Sequence, residues 1–215
     1  MQLAEKHHTC SWLTGDTPLV LSDIFSPATS VTIWQRGPSP AVNHYFLQAF
    51  EALGLGINGV FSMDTLMEEM HHRLPEFEGK QDAVDDIYLL CDMLTCLFNC
   101  DSIGLRLAPL TQAMCPRFHR DNIPVRLVNT YLGPGTEWLP KESIQDRSLK
   151  GNHTPLNKAP FDVGYDKDHI QQMQAFDVGL LKGQAWPEQE HMAAWHRSCQ
   201  LEKGHKRVLL TLDPM

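Results

Sequence analysis

Apolar positions in the first hundred residues recur every three to four places, the spacing of a helix with one buried stripe. In GPSPAVNHYFLQAFEALGLG (37–56), Ser39 suits an N-cap, Pro40 the first helical position and Gly54 the position just past the end. SMDTLMEEMHHRLP (62–75) repeats the arrangement with Ser62 as cap and Pro75 as stop. In DAVDDIYLLCDMLTCLF (82–98), Val84, Ile87, Cys91, Leu94 and Phe98 fall on one stripe. Three helices are predicted, with a short β portion before them at PLVLSDIF (18–25) and SVTIWQR (30–36).

Beyond Asp101 the period shortens. SIGLRLAPLTQAM, VRLVNTY, TEWL, FDVGLLKG and KRVLLTL are strand-length, rich in β-branched and apolar residues, and separated by Gly, Pro and Asn. The reading is α+β: a mainly helical portion over 1–100 and a β portion over 101–215, folded as one integrated unit. A polar stretch without periodicity at 141–173 is read as a long insertion between strands, a length that is uncommon unless functional. In the last strand Arg207, Leu209 and Thr211 share one face and Val208, Leu210 and Leu212 the other, and the apolar face is expected against the helices. By the same alternation Arg126, Val128 and Thr130 share a face, and Leu127, Asn129 and Tyr131 the opposite one.

Composition narrows the function. A net charge of −8, with no Lys/Arg run longer than two residues, leaves no basic surface for nucleic acid. The opening MQLAEKHHTCSWLTG lacks the pattern of a signal peptide, and no apolar run approaches the length of a membrane span, so a cytoplasmic protein is expected. The six cysteines are too few and too irregular for a disulfide scaffold. Cys91, Cys96 and Cys100, on or just after the third helix, read as buried thiols acting as small hydrophobes.

Chemistry concentrates at CPRFHRD (115–121). His119 and Asp121 form an H-x-D between two strands, so both side chains project together from the mouth of a β-structure. His196, in AAWHRSC, supplies a distant second imidazole. Two His and one carboxylate make the face that binds iron(II) while leaving coordination positions open. Eleven residues after His196, Arg207 opens the last strand, and its planar guanidinium suits a carboxylate. Arg126 and Tyr131 are further candidates for catalytic groups in the pocket. Glu137 and Trp138 are candidate substrate contacts, and His191 a candidate partner of His196. Lys182, before the turn at Gly183, is expected to be solvent-exposed.

That order of H-x-D, long insertion, VGLLKG, His and Arg resembles the iron(II)- and 2-oxoglutarate-dependent oxygenases over about residues 101–213. The resemblance implies a cupin-like, jelly-roll double-stranded β-helix for the β portion. It further implies His119, Asp121 and His196 as iron ligands, and Arg207 as the residue binding the far carboxylate of 2-oxoglutarate. The wording of CPRFHRD, RLVNTYLGPGTEWL, LLKG and HRS is similar to a bacterial domain-of-unknown-function family whose members are often encoded near zinc-responsive genes and metallochaperone GTPases. That likeness implies a metal connection and a metallochaperone as partner. Cys115 and Cys199 flank the two histidine segments, and with them the histidines would make a tetrahedral zinc site. Two functions follow: an oxygenase hydroxylating a small molecule or a peptide, or a cupin-like zinc-binding protein of metal homeostasis without turnover.

Overall fold

Capping chemistry sets the helix starts. The computed structural model describes residues 10–145 and 164–215. The Ser39 hydroxyl accepts the Val42 N–H at 3.4 Å, and α1 spans Pro40–Ala49. It ends earlier than the apolar stripe suggests, because the chain turns through residues 50–55 to enter strand β3 (Ile57–Ser62). Ser62 then caps α2 (Met63–Arg73), which stops before Pro75 as expected. α3 (Lys80–Phe98) buries Val84, Ile87, Cys91 and Leu94 and ends at Asn99 in a left-handed conformation (φ 49°). Burial pushes the Cys91 thiol up to about 12, so it acts as a small hydrophobe. Cys96, by contrast, is exposed and Cys100 half-buried, because both lie off the buried stripe.

The remaining strands are β1 (Trp12–Gly15), β2 (Val31–Trp34), β4 (Ser102–Leu110), β5 (Val125–Leu132) and β6 (Glu137–Leu139), followed by the two-residue β7 (Ile144–Gln145), β8 (Gly164–Tyr165) and β9 (Gln171–Gln172). They continue with β10 (Val178–Lys182), β11 (Trp195–Arg197) and β12 (Arg207–Pro214). Seven form one sheet, ordered β1-β2-β10-β5-β12-β4-β3, and β11-β6-β9 form a smaller one. The first hundred residues therefore supply β1, β2 and β3 to the large sheet as well as the helices. PLVLSDIF is not a strand but a 3-10 helix, Pro18–Phe25. Its buried residues, Leu21 and Ile24, lie three apart, the repeat that a 3-10 helix eclipses on one face. Part of the insertion is ordered: β7 and β8 pair with each other, and β9 joins the small sheet. Residues 146–163 of that insertion lie outside the described residues.

Strand alternation sorts the two faces of the large sheet. Leu105, Leu107, Leu127, Tyr131, Leu180, Val208, Leu210 and Leu212 pack with Val42, Phe46, Leu66, Ile87 and Leu94 of the helices. The apolar face of β12 is thus the helix-covered one, as the sequence implies. Val31, Ile33, Val128 and Leu181 point the other way, where Trp138, Met173 and Ala194 cover them. Lys182 shares the Leu180 face and is buried, against expectation. Its ammonium donates to the Ser26 carbonyl and to Gln189 Oε1, both at 2.8 Å, and sits 4.7 Å from the Trp186 ring centre. Those partners explain how the charge is tolerated, although burial lowers its pKa to about 8. No helix among the described residues is long and apolar enough to cross a membrane.

Candidate metal centre

His119 and His196 face each other across an isolated antiparallel bridge. Each donates its backbone N–H to the other's carbonyl at 3.0 Å, which brings the ring centres to 4.4 Å. Each ring is turned by the same device: Nδ1 lies 3.1 Å from a carbonyl two residues earlier, Arg117 for His119 and Ala194 for His196. A carbonyl only accepts, so Nδ1 carries a proton; the neutral ring then offers its Nε2 lone pair to a metal, and the protonated ring offers Nε2–H to a carboxylate. Both Nε2 atoms meet Asp121, at 3.5 Å (Oδ1) for His119 and 3.4 Å (Oδ2) for His196. One donor atom from each of the three residues lies within 4.8 Å of the others. Between the H and the D, Arg120 points away and stacks over Trp195, as i, i+2 alternation requires.

Charge holds the cluster together. Burial raises the Asp121 pKa, but hydrogen bonds from His119 and His196 and the charge of Arg126 outweigh it and hold the carboxyl well below the usual carboxylate range. The hydrogen bond to Asp121 raises the His119 pKa against the opposing effect of burial. In metal-free protein the Asp121 contribution to stability is present above about pH 3.9 and lost on acidification, as for any carboxylate with a depressed pKa. That of His119 is present below about pH 6.5 and lost as pH rises through its raised pKa. The pair therefore stabilises the metal-free fold most between about pH 4 and 6.5. Urea unfolding across that range should show a maximum that Asp121→Asn flattens.

The loop carrying Asp121 is fixed by the end of β10. The Gly183 N–H donates to the Pro124 carbonyl and the Gln184 N–H to the Asp121 carbonyl, each at 2.8 Å. A Cβ at Gly183 would stand 1.9 Å from the Ile123 carbonyl oxygen and 2.9 Å from that of Asp121. The last glycine of VGLLKG, Gly183, is therefore needed for close approach rather than for a turn. Gly183→Ala should cost about 1–3 kcal/mol in urea unfolding. It should also weaken metal binding, because the loop moves as the ligand it carries moves.

Arg207 occupies the same face of the large sheet. It is 1% exposed, and its Nη atoms donate to three hydroxyls, Ser198 (3.3 Å), Thr130 (3.2 Å) and Thr136 (3.0 Å). Its Nε–H has no partner among the described residues. Burial lowers its pKa, opposed by the charge of Glu137. YLGPG shapes this corner: Gly133 has φ 82°, and a Cβ there would lie 2.3 Å from the Lys206 carbonyl oxygen. The three hydroxyls escape a reading of the sequence, since Ser, Thr and Thr at 198, 130 and 136 become neighbours only when β5, β6, β11 and β12 assemble.

The other candidates separate clearly. Arg126 reaches the cluster, with Nη1 2.7 Å from Asp121 Oδ2. Tyr131 lies on the helix-covered face instead, its ring stacked on Phe46 at 4.6 Å and edge-on to Phe176. Neither thiol is in the cluster: Cys115 is exposed, and Cys199 is buried with Sγ 3.4 Å from the Pro134 carbonyl. Glu137 pairs with Arg197 at 2.6 Å. Trp138, opposite His196 in the β6–β11 register, is buried, its indole N–H without a partner among the described residues. His191 is exposed.

A dioxygenase for auxin oxidation from rice superposes with a TM-score of 0.50 at 10% identity, covering 91% of this chain and 76% of that one. The corresponding dioxygenase 1 of Arabidopsis thaliana, in a binary complex with 2-oxoglutarate, gives a TM-score of 0.54 at 9% identity, covering 95% and 92%. At such identities the likeness is one of fold: it places the chain among the jelly rolls, as the order of motifs implied. No curated protein matches the sequence. The family model described as "Protein of unknown function (DUF1826)" matches residues 15–213, and with nearly the whole chain covered, the protein belongs to that family.

Proposed function

We propose that the protein is a mononuclear non-haem iron(II) oxygenase that takes 2-oxoglutarate as co-substrate. The observation that carries this reading is a buried guanidinium, hydrogen-bonded among the described residues only to hydroxyls, on the same sheet face as a two-histidine, one-carboxylate cluster. A structural arginine this deeply buried is ordinarily paired with an acid. Arg207 instead has hydroxyl partners and, among the described residues, an Nε–H with no partner, the preparation of a site for an anion.

The two ends are set apart along β5. Arg126, bonded to Asp121, and Thr130, bonded to Arg207, lie four residues apart on one face of the strand. A ligand that meets both needs a carboxylate at one end and metal-chelating oxygens at the other, and 2-oxoglutarate has both. The cluster fits iron(II): two imidazole nitrogens and one carboxylate, with no thiolate, make the facial set that leaves positions open. When bound, iron(II) supplies the dioxygen chemistry that no side chain provides.

The chain's own residues bind and shield. The carbonyls of Arg117 and Ala194 keep both Nε2 lone pairs aimed at the metal position. Thr130, Thr136 and Ser198 hold the Arg207 fork in one orientation, so the co-substrate carboxylate meets a group already in place. Val128, Leu181, Met173 and Trp138 form an apolar wall that excludes water.

The test is formation of succinate from 2-oxoglutarate by the iron(II)-loaded protein in air, followed by proton NMR with small-molecule and peptide substrates. Succinate is expected from wild type and not from His119→Ala. The reading is overturned if no succinate forms and the 2-oxoglutarate signals also fail to broaden when protein is added.

A further inference from the structure

Arg126 uses its whole guanidinium on two carboxylates, and one of them is Asp121. Its Nε and Nη2 fork onto Asp213 at 2.8 and 2.7 Å, while Nη1 donates to Asp121 Oδ2 at 2.7 Å. Arg126 lies on β5 and Asp213 on β12, so adjacent strands supply the clamp and the loop after His119 supplies what is clamped. The fork is a fixed-geometry contact, which denies the third donor freedom to wander.

The contact distinguishes the two oxygens of Asp121. Oδ2 lies closer to Arg126, at 2.7 Å, than to the His196 Nε2, at 3.4 Å. Oδ1, facing His119 at 3.5 Å, has no contact with the guanidinium. From this asymmetry we propose that Arg126, braced by Asp213, is a positioning residue that keeps Asp121 a one-oxygen metal ligand. Two imidazoles and one carboxylate oxygen would hold the metal while leaving positions open for a co-substrate. A carboxylate free to bind through both oxygens would take one of them. The clamp thus guards the vacancy on which the proposed function rests.

The test uses cobalt(II) alone, added to metal-free full-length protein, and reads affinity, the visible d–d spectrum and the melting temperature of the metal-free form. Arg126→Gln should change cobalt(II) affinity roughly ten- to a hundredfold, the scale on which a group that orients a ligand acts. It should also change the intensity of the d–d bands, because a second Asp121 oxygen enters the coordination shell. Asp213→Asn, which keeps the guanidinium but removes its charged brace, should shift both readouts in the same direction and by less. It decides the matter if Arg126→Gln fails to fold. A lowered melting temperature with unchanged cobalt(II) affinity and spectrum would make Arg126 a purely structural residue and overturn the inference alone. Wild type that binds no cobalt(II) would instead remove the metal centre itself, and the inference with it.

Discussion

Arg207→Met is expected to abolish 2-oxoglutarate binding without loosening the metal and without destabilising the fold. The arginine is buried and bonded to three hydroxyls, so the free protein carries a desolvated charge with no acid hydrogen-bonded to it among the described residues. Losing a buried charge-assisted contact should weaken the co-substrate by on the order of a hundredfold or more, the few kcal/mol that such truncations cost. In the free protein the balance runs the other way. Replacing a buried charge with an apolar side chain of similar length is neutral or stabilising by about 1–4 kcal/mol. The melting temperature should hold or rise by a few degrees, since 1 kcal/mol moves a chain of this size by about 2–4 °C. Calorimetric titration of 2-oxoglutarate into manganese(II)-loaded protein, with a thermal melt of the same samples, checks both halves. A variant that binds the co-substrate like wild type would assign Arg207 to the core.

The second large effect separates the ligands from the nearby thiols. Asp121→Ala and His196→Ala should each lower iron(II) affinity by more than about a hundredfold, since even groups that only orient a ligand cost ten- to a hundredfold. Cys115→Ser and Cys199→Ser should leave it unchanged. Cys115 points to solvent, and the Cys199 thiol, its pKa raised by burial, is turned to the Pro134 carbonyl. Anaerobic equilibrium dialysis of the four variants provides the comparison. A loss of metal in either serine variant, matched by retention in His196→Ala, would restore the zinc reading of the Cys-flanked histidines.

What the sequence discloses follows the range of each interaction. Ser39 and Ser62 announce their helices because a cap acts within three residues. The alternation in KRVLLTL correctly assigns the helix-covered face of β12, since the purely apolar set has one place to go. H-x-D is legible for the same local reason. The same alternation sets Arg126 and Tyr131 on opposite faces, so no more than one of them can reach a site on a given face. Only the assembled sheet shows that it is Arg126.

Longer-range facts leave weaker marks. β11 has three residues, too few for a period, yet it carries His196. Arg126 and Asp213 are 87 residues apart, and no spacing rule joins them. Lys182 reads as exposed because lysines usually are; its burial depends on Ser26 and Gln189, one of them 156 residues away. PLVLSDIF has the composition of a strand, and only the packing of Leu21 and Ile24 against the core makes it a 3-10 helix. Cys115 and Cys199 have the spacing of metal ligands, but a thiol's neighbours are set by the backbone on either side of it.

The central claim is that this cluster and Arg207 bind iron(II) and 2-oxoglutarate as one site. The most direct measurement is the visible absorption of anaerobic, metal-free protein titrated with iron(II) and then with 2-oxoglutarate. The account predicts a charge-transfer band that needs both components, saturates at one equivalent of each, and is missing in Asp121→Ala. Saturating iron(II) binding with no band at any concentration of 2-oxoglutarate would contradict it.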